Sequence, residues 1–216
     1  MSEEMLSKLL VGPQTAIDGQ WTNARGGNEG QSIISQLHGR YYELNRRGQL
    51  YCAATGVAGV VLPVYTATAH KFVLWNQAAS GYNVVPLLLS VSTMGTPAVS
   101  SSLGLTTIIG AGTALGTPIS AFALTSPYNM KTLQPVAGIA KFSVAATCVA
   151  TTAYIDLGIS SAGVLAAASV TTPWVTLYHD FDGRVIVGPQ NAICVVGAIA
   201  QTATLVLSLF YAEVPA

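Results

Sequence analysis

Residues 192–212 read AICVVGAIAQTATLVLSLFYA, and how this run is interpreted decides the fold. It is apolar and long enough to cross a bilayer as a helix. From Thr202 to Glu213, however, the residues alternate. Leu205, Leu207, Leu209 and Tyr211 fall on one side, and Thr204, Val206, Ser208 and Phe210 on the other. A period of two suits a strand with one buried face rather than a lipid-facing helix. Gly197 and Gln201 break the run into two strand-sized pieces, and no Lys or Arg cluster flanks it to set a topology. Leu103–Thr125 is a weaker span of the same kind, rich in Gly and Thr and interrupted by Pro118. The run therefore reads as two strands, and no membrane partner is expected.

The same pattern continues outward through the chain. Candidate strands are 50–54, 59–65, 71–75, 83–93, 100–109, 119–125, 138–148, 153–158, 173–178, 184–187, 192–198 and 203–213. Turn signals separate them at Ala79-Ser80-Gly81, Gly95-Thr96-Pro97, Gly116-Thr117-Pro118, Ser126-Pro127, Ser160–Gly163 and Asp182-Gly183. No helical stretch of ten to fifteen residues intervenes, so the expectation is an all-β protein, an antiparallel β-sandwich of jelly-roll-like form.

Charge divides the chain. Of 216 residues 51% are hydrophobic and only 8% charged, against roughly 25% in an average soluble domain. Nine basic and nine acidic residues cancel, which disfavours a specific nucleic-acid partner. Ten of these eighteen charges lie in residues 1–47, and none lies between Phe72 and Met130. The boundaries follow: an N-terminal arm, 1–48, and a β-sandwich body, 49–216.

The arm is expected to be extended and partly helical. Ser2 can cap a short helix whose apolar stripe is Met5, Leu6, Leu9 and Leu10, and Gly12-Pro13 stops it. Residues 12–32 have too few apolar anchors to build a core. Ile34, Leu37, Tyr41 and Leu44 form a narrow helical stripe, with Glu43 and Arg47 as an i,i+4 pair and Gly48 as a cap. The expected partner contacts of the arm are Leu6, Leu9, Leu10, Ile34, Leu37, Tyr41, Arg46 and Arg47. Met1–Val11 opens with two acids and has too short an apolar run for a secretory signal, so synthesis and assembly in a cytoplasm are expected.

Groups able to carry chemistry are sparse. Cys52, Cys148 and Cys194 are odd in number and scattered, without Cys-x-x-Cys spacing, and read as small apolar core residues. No cofactor and no metal is expected. His179-Asp180-Phe181-Asp182-Gly183-Arg184 is the richest polar cluster. Its glycine comes too early for a calcium loop, and it reads as a solvated turn. No nucleophile elbow, Walker A loop or dinucleotide fingerprint is present, so the protein is not expected to be an enzyme. Trp75, Trp174, Tyr41 and Tyr42 have the chemistry to stack on sugars or bases. Trp75 lies in the alternating Phe72-Val73-Leu74-Trp75-Asn76 and reads as core.

Three segments carry a resemblance: QLHGRYYELNRRGQLYCAAT (36–55), KFVLWNQAASGYNVVPLLLSV (71–91) and HDFDGRVIVGPQNAICVVGAIAQTATLVLSLFYAEVP (179–215). An aromatic-rich entry, a Leu-Trp-Asn strand leading into a Ser-Gly turn, and a closing aliphatic strand with an acid and a proline resemble small virion structural proteins of tailed bacteriophages. The resemblance implies a capsid decoration or cement protein, with itself (as a homotrimer or other homo-oligomer) and a major capsid protein as partners. A head-fibre or tail appendage that binds a host receptor or glycan is the alternative. Either role implies location in the virion, and no catalytic residue.

Overall fold

The computed structural model describes residues 39–94, 101–136, 138–151, 153–161, 176–200 and 202–216. The chain divides into two units, Met1–Tyr42 and Glu43–Ala216. Helix α1 (Tyr42–Arg46) precedes strands β1 (Leu50–Ala54), β2 (Val60–Val61), β3 (Ala69–His70), β4 (Val73–Asn76), β5 (Tyr82–Thr93), β6 (Ser101–Ile109) and β7 (Ile119–Thr125). There follow β8 (Tyr128–Asn129), β9 (Gln134–Pro135), β10 (Lys141–Cys148), β11 (Ile155–Ser161), β12 (Thr176–Asp180), β13 (Asn191–Gly197) and β14 (Thr204–Pro215). They make two seven-stranded sheets. Sheet I runs β12-β5-β14-β1-β8-β9, with β2 on β14; sheet II runs β11-β6-β13-β4-β10-β3, with β7 on β10. All pairings between these strands are antiparallel. The fold is the all-β sandwich that the alternation implies.

β14 shows why. Leu205, Leu207, Leu209 and Tyr211 are buried in the core between the sheets, and Thr204, Val206, Ser208 and Phe210 are half-buried. The register with β5 sets Leu207 beside Val91 and Leu209 beside Leu89, so both strands turn the same face inward. From sheet II, Phe72, Leu74, Leu105, Phe142, Ile193 and Val195 meet them. Phe72 and Phe142 pack edge to face at 4.9 Å.

β13 behaves differently. Ile193 and Val195 face the core between the sheets, whereas Ala192, Cys194 and Val196 lie in a second core on the other side of sheet II. A strand buried on both faces has no polar side to show, which is why its sequence is a continuous apolar run. The second core also contains Val73, Trp75, Ile108, Ala111, Ile119, Ala146 and Cys148, and Tyr65, Phe122 and Tyr154 pack against it. Hydrogen bonds fasten this outer layer. The Trp75 indole N–H donates to the Ala111 carbonyl at 2.5 Å, the Thr106 hydroxyl to the Ala153 carbonyl at 2.8 Å, and the Thr151 hydroxyl to the Tyr65 carbonyl at 2.8 Å. Gly104 is required here, since a Cβ would stand 2.5 Å from Cζ of Tyr154.

Several expected strands are corrected. Only Val60–Val61 of 59–65 is a strand, because Pro63 has no N–H to give a ladder and Val64 makes an isolated bridge to Gly197. Residues 184–187 form none. The Arg184 amide closes a turn onto the Phe181 carbonyl, and Val187 forms a lone bridge with Val84. β11 begins at Ile155, later than expected, and its register shifts between Asp156 and Ile159. The two-residue strands β3, β8 and β9 are additional.

Candidate functional site

The expected arm contacts are only partly within reach of description. Leu6, Leu9, Leu10, Ile34 and Leu37 lie outside the described residues. The helical stripe expected over 33–47 is represented by the five residues of α1, none of them buried. Tyr41 is covered by the Arg40 guanidinium at 5.3 Å from its ring centroid. Glu43 pairs with Arg46 at 3.1 Å, three residues on, rather than with Arg47 four residues on. Both side chains of that pair are exposed, so it contributes about 0–1 kcal/mol.

The polar cluster at 179–184 is a turn attached to an outer strand. His179 and Asp180 end β12, and the His179 ring stacks edge-on against buried Phe181 at 4.8 Å. Asp182 and Gly183 both have positive φ, +47° and +70°, as the central residues of a type I′ turn require. The Asp180 carboxylate accepts from the Asp182 amide at 2.9 Å, and Arg184 donates to the Asp180 carbonyl at 2.9 Å. These bonds hold the cluster as a turn closed on its own backbone. Trp75 is only 3% exposed and edge-on to Phe122 at 5.4 Å, which removes it from any sugar-stacking role. Trp174 lies outside the described residues. An open cavity of about 300 Å³, lined by residues such as Ile108, Pro118, Val149 and Thr151, has no charged side chain in its wall.

Glu213 is the buried carboxylate of the body. It accepts from the Ala140 amide at 2.8 Å and fills the space beside Gly138, where a Cβ would come within 2.5 Å of its Oε1. It thus clamps the 138–140 segment against the end of β14. Burial raises its pKa above the ordinary 4.5, opposed by the Ala140 and Ile139 amides and by Lys141. Between the unfolded and folded pKa values the folded chain holds more protons, so this group lowers stability as pH rises from about 4.5. The stability of Glu213→Gln relative to the native protein should therefore increase from pH 4.5 towards neutrality. Urea midpoints across that range measure it, and a constant difference refutes the assignment.

The one convergence of metal-ligating side chains among the described residues lies in the second core. His70 on β3, Cys148 at the end of β10 and Cys194 on β13 place their ligating atoms within 4.8 Å of one another. β3 pairs with β10 through Ala146 and His70, and the Cys148 amide binds the Thr68 carbonyl at 2.8 Å. Those contacts bring His70 and Cys148 to the same outer face of sheet II as Cys194. All three cysteines are free thiols, as their scatter along the chain suggests. His70 is 1% exposed, and neither of its ring nitrogens has a hydrogen-bond partner. Burial lowers its pKa and keeps the imidazole neutral. Burial, and then the hydrogen bond to Cys148, hold Cys194 protonated. Cys52 sits apart on β1, its thiol pushed up to about 11 by burial. Sequence spacing cannot reveal this cluster, because its members come from three strands joined only by the sheet.

Apolar side chains also remain on the surface. Val57 is 90% and Ile109 79% exposed, and Leu124, Leu133, Tyr178 and Ile186 are exposed as well. Leu124 stands on β7 and Tyr178 on β12, each at the margin of its sheet. No helix among the described residues is long and apolar enough to cross a membrane. Comparison of the chain with protein-family models, with curated proteins and with solved structures returns no match.

Proposed function

We propose that the protein is a non-enzymatic structural component of a tailed-bacteriophage virion that decorates or cements a capsid. Its sandwich body, read as jelly-roll-like, associates into homo-oligomers, with a trimer as the leading arrangement. The N-terminal arm, residues 1–48, reaches neighbouring subunits. The observation that carries this reading is apolar exposure on a nearly uncharged body, seen at Val57, Ile109, Leu124, Leu133, Tyr178 and Ile186. A surface with so few charges keeps free copies apart poorly. Covering it between subunits contributes about 25 cal/mol for each Å² of apolar area removed from water. The virion assignment draws on the three sequence segments that resemble phage structural proteins.

Negative-stain imaging and light scattering of the purified protein, alone and with empty capsids, test the proposal. The expected result is a symmetric oligomer that binds the shell. Deleting residues 2–32 should leave a folded body that no longer decorates. A truncated protein that decorates normally rejects the arm as a clamp. A monomer that ignores capsids and binds a defined sugar on a glycan array replaces the reading with a receptor-binding appendage.

A further inference from the structure

We propose that His70, Cys148 and Cys194 form a buried binding site for one zinc ion, which ties β3, β10 and β13 together beneath the outer layer of sheet II. The ligand set comes first. Two thiols and one imidazole are donors that zinc takes readily, and the three ligating atoms already lie within 4.8 Å of each other. A tetrahedral ion at about 2.3 Å from sulfur and about 2.0–2.1 Å from nitrogen holds its ligand atoms roughly 3.5–3.8 Å apart. Closing the cluster onto an ion therefore asks for movements of about 1 Å or less in most directions, which side-chain rotation supplies.

The second observation concerns His70. An imidazole 99% buried with both nitrogens unpartnered is a costly arrangement, since it gives up hydrogen bonds to water and gains none in return. An ion at the centre of the cluster satisfies one of those nitrogens.

Charge selects the ion. Binding releases the two thiol protons to solvent, so two thiolates face the metal. A divalent ion cancels their charge and leaves a neutral centre among Val73, Ile119, Ala146 and Val196, all buried apolar neighbours in the second core. A monovalent soft ion such as Cu⁺ leaves one negative charge uncompensated there, which a low-dielectric interior disfavours. The three side chains fill three of the four tetrahedral positions and a small exogenous ligand such as water takes the fourth, while no carboxylate belongs to the cluster to act as a base.

The test uses the full-length protein, purified under thiol protection and without chelators. Metal analysis should find one zinc per chain. Replacement by Co²⁺ should give a sulfur-to-cobalt charge-transfer band and tetrahedral visible bands that saturate at one equivalent. Cys194→Ala and Cys148→Ala should abolish both signals, and Cys52→Ala should keep them. His70→Gln should weaken binding by more than the ~10–100-fold typical of losing an outer-sphere partner. Should the cysteine variants fail to fold, titration of the native protein with Cd²⁺ should protect two of its three thiols from alkylation. The proposal is overturned by absence of zinc together with a silent cobalt titration, or by equal loss in Cys52→Ala. It is also overturned if Cu⁺ is bound and zinc is not, or if Cys148 and Cys194 are joined by a disulfide whose reduction restores no ion uptake.

Discussion

Phe142→Ala should destabilise the sandwich by about 3–5 kcal/mol, the range for deleting a large aromatic from a packed core. Phe142 is fully buried on β10 and lies edge to face with Phe72, so truncation opens a cavity at the centre of the contact between the sheets. Removing the ring also forfeits the aromatic pair, itself worth about 0.5–1.5 kcal/mol beyond area. At this chain length each kcal/mol moves the melting temperature by about 2–4 °C, so the expected drop is roughly 6–20 °C. Since whole domains are stable by only about 5–15 kcal/mol, the variant is expected to be close to unfolding at working temperature. Phe142→Leu refills most of the volume and should lose much less. Urea denaturation of the three proteins decides it, and a loss below about 1 kcal/mol for the alanine variant contradicts the packing described.

The second large effect is expected at Trp75. Trp75→Ala should cost a similar ~3–5 kcal/mol, but through the other core. The indole covers the outer face of sheet II, packs edge-on to Phe122 and anchors the 110–112 loop through the Ala111 carbonyl. Trp75→Phe separates these roles. It keeps an aromatic ring beside Phe122 and leaves the Ala111 carbonyl unpaired, a penalty of about 1–3 kcal/mol. Trp75→Phe should therefore lie between the native protein and Trp75→Ala. If the phenylalanine variant is as stable as the native protein, the hydrogen bond to Ala111 contributes nothing and the anchoring role fails.

The legible parts of the sequence were those with one buried face. Leu205, Leu207, Leu209 and Tyr211 alternate with half-buried partners, so a period of two reports the strand and its inward side at once. β13 hides its orientation because Ala192, Cys194 and Val196 meet the second core while Ile193 and Val195 meet the first. The strands at Ala69–His70, Tyr128–Asn129 and Gln134–Pro135 are too short to carry any period. Turn chemistry was clearer, and the Asp182-Gly183 dipeptide adopts the pair of positive φ values it suggests. The His70, Cys148 and Cys194 cluster was illegible for a different reason. Cys148 and Cys194 each read as a small apolar core residue, and His70 falls on a strand too short to carry any period. Only the order β13-β4-β10-β3, with β3 bending into β4, turns three separate positions into one place.

Sheet II is shared by two cores, and that sharing has a kinetic meaning. The outer layer rests on side chains such as Trp75, Phe122 and Tyr154, whereas the opposite face is closed by an entire second sheet. Opening the outer layer exposes less surface than separating the sheets, so it costs less and happens more often. Amide exchange near Ala111 and Thr151 should accordingly run ahead of exchange in β14. Cys148 and Cys194 lie on the side that opens first, and Cys52 lies on the other sheet. The thiols of Cys148 and Cys194 thus form a built-in clock that times the loosening of a single face.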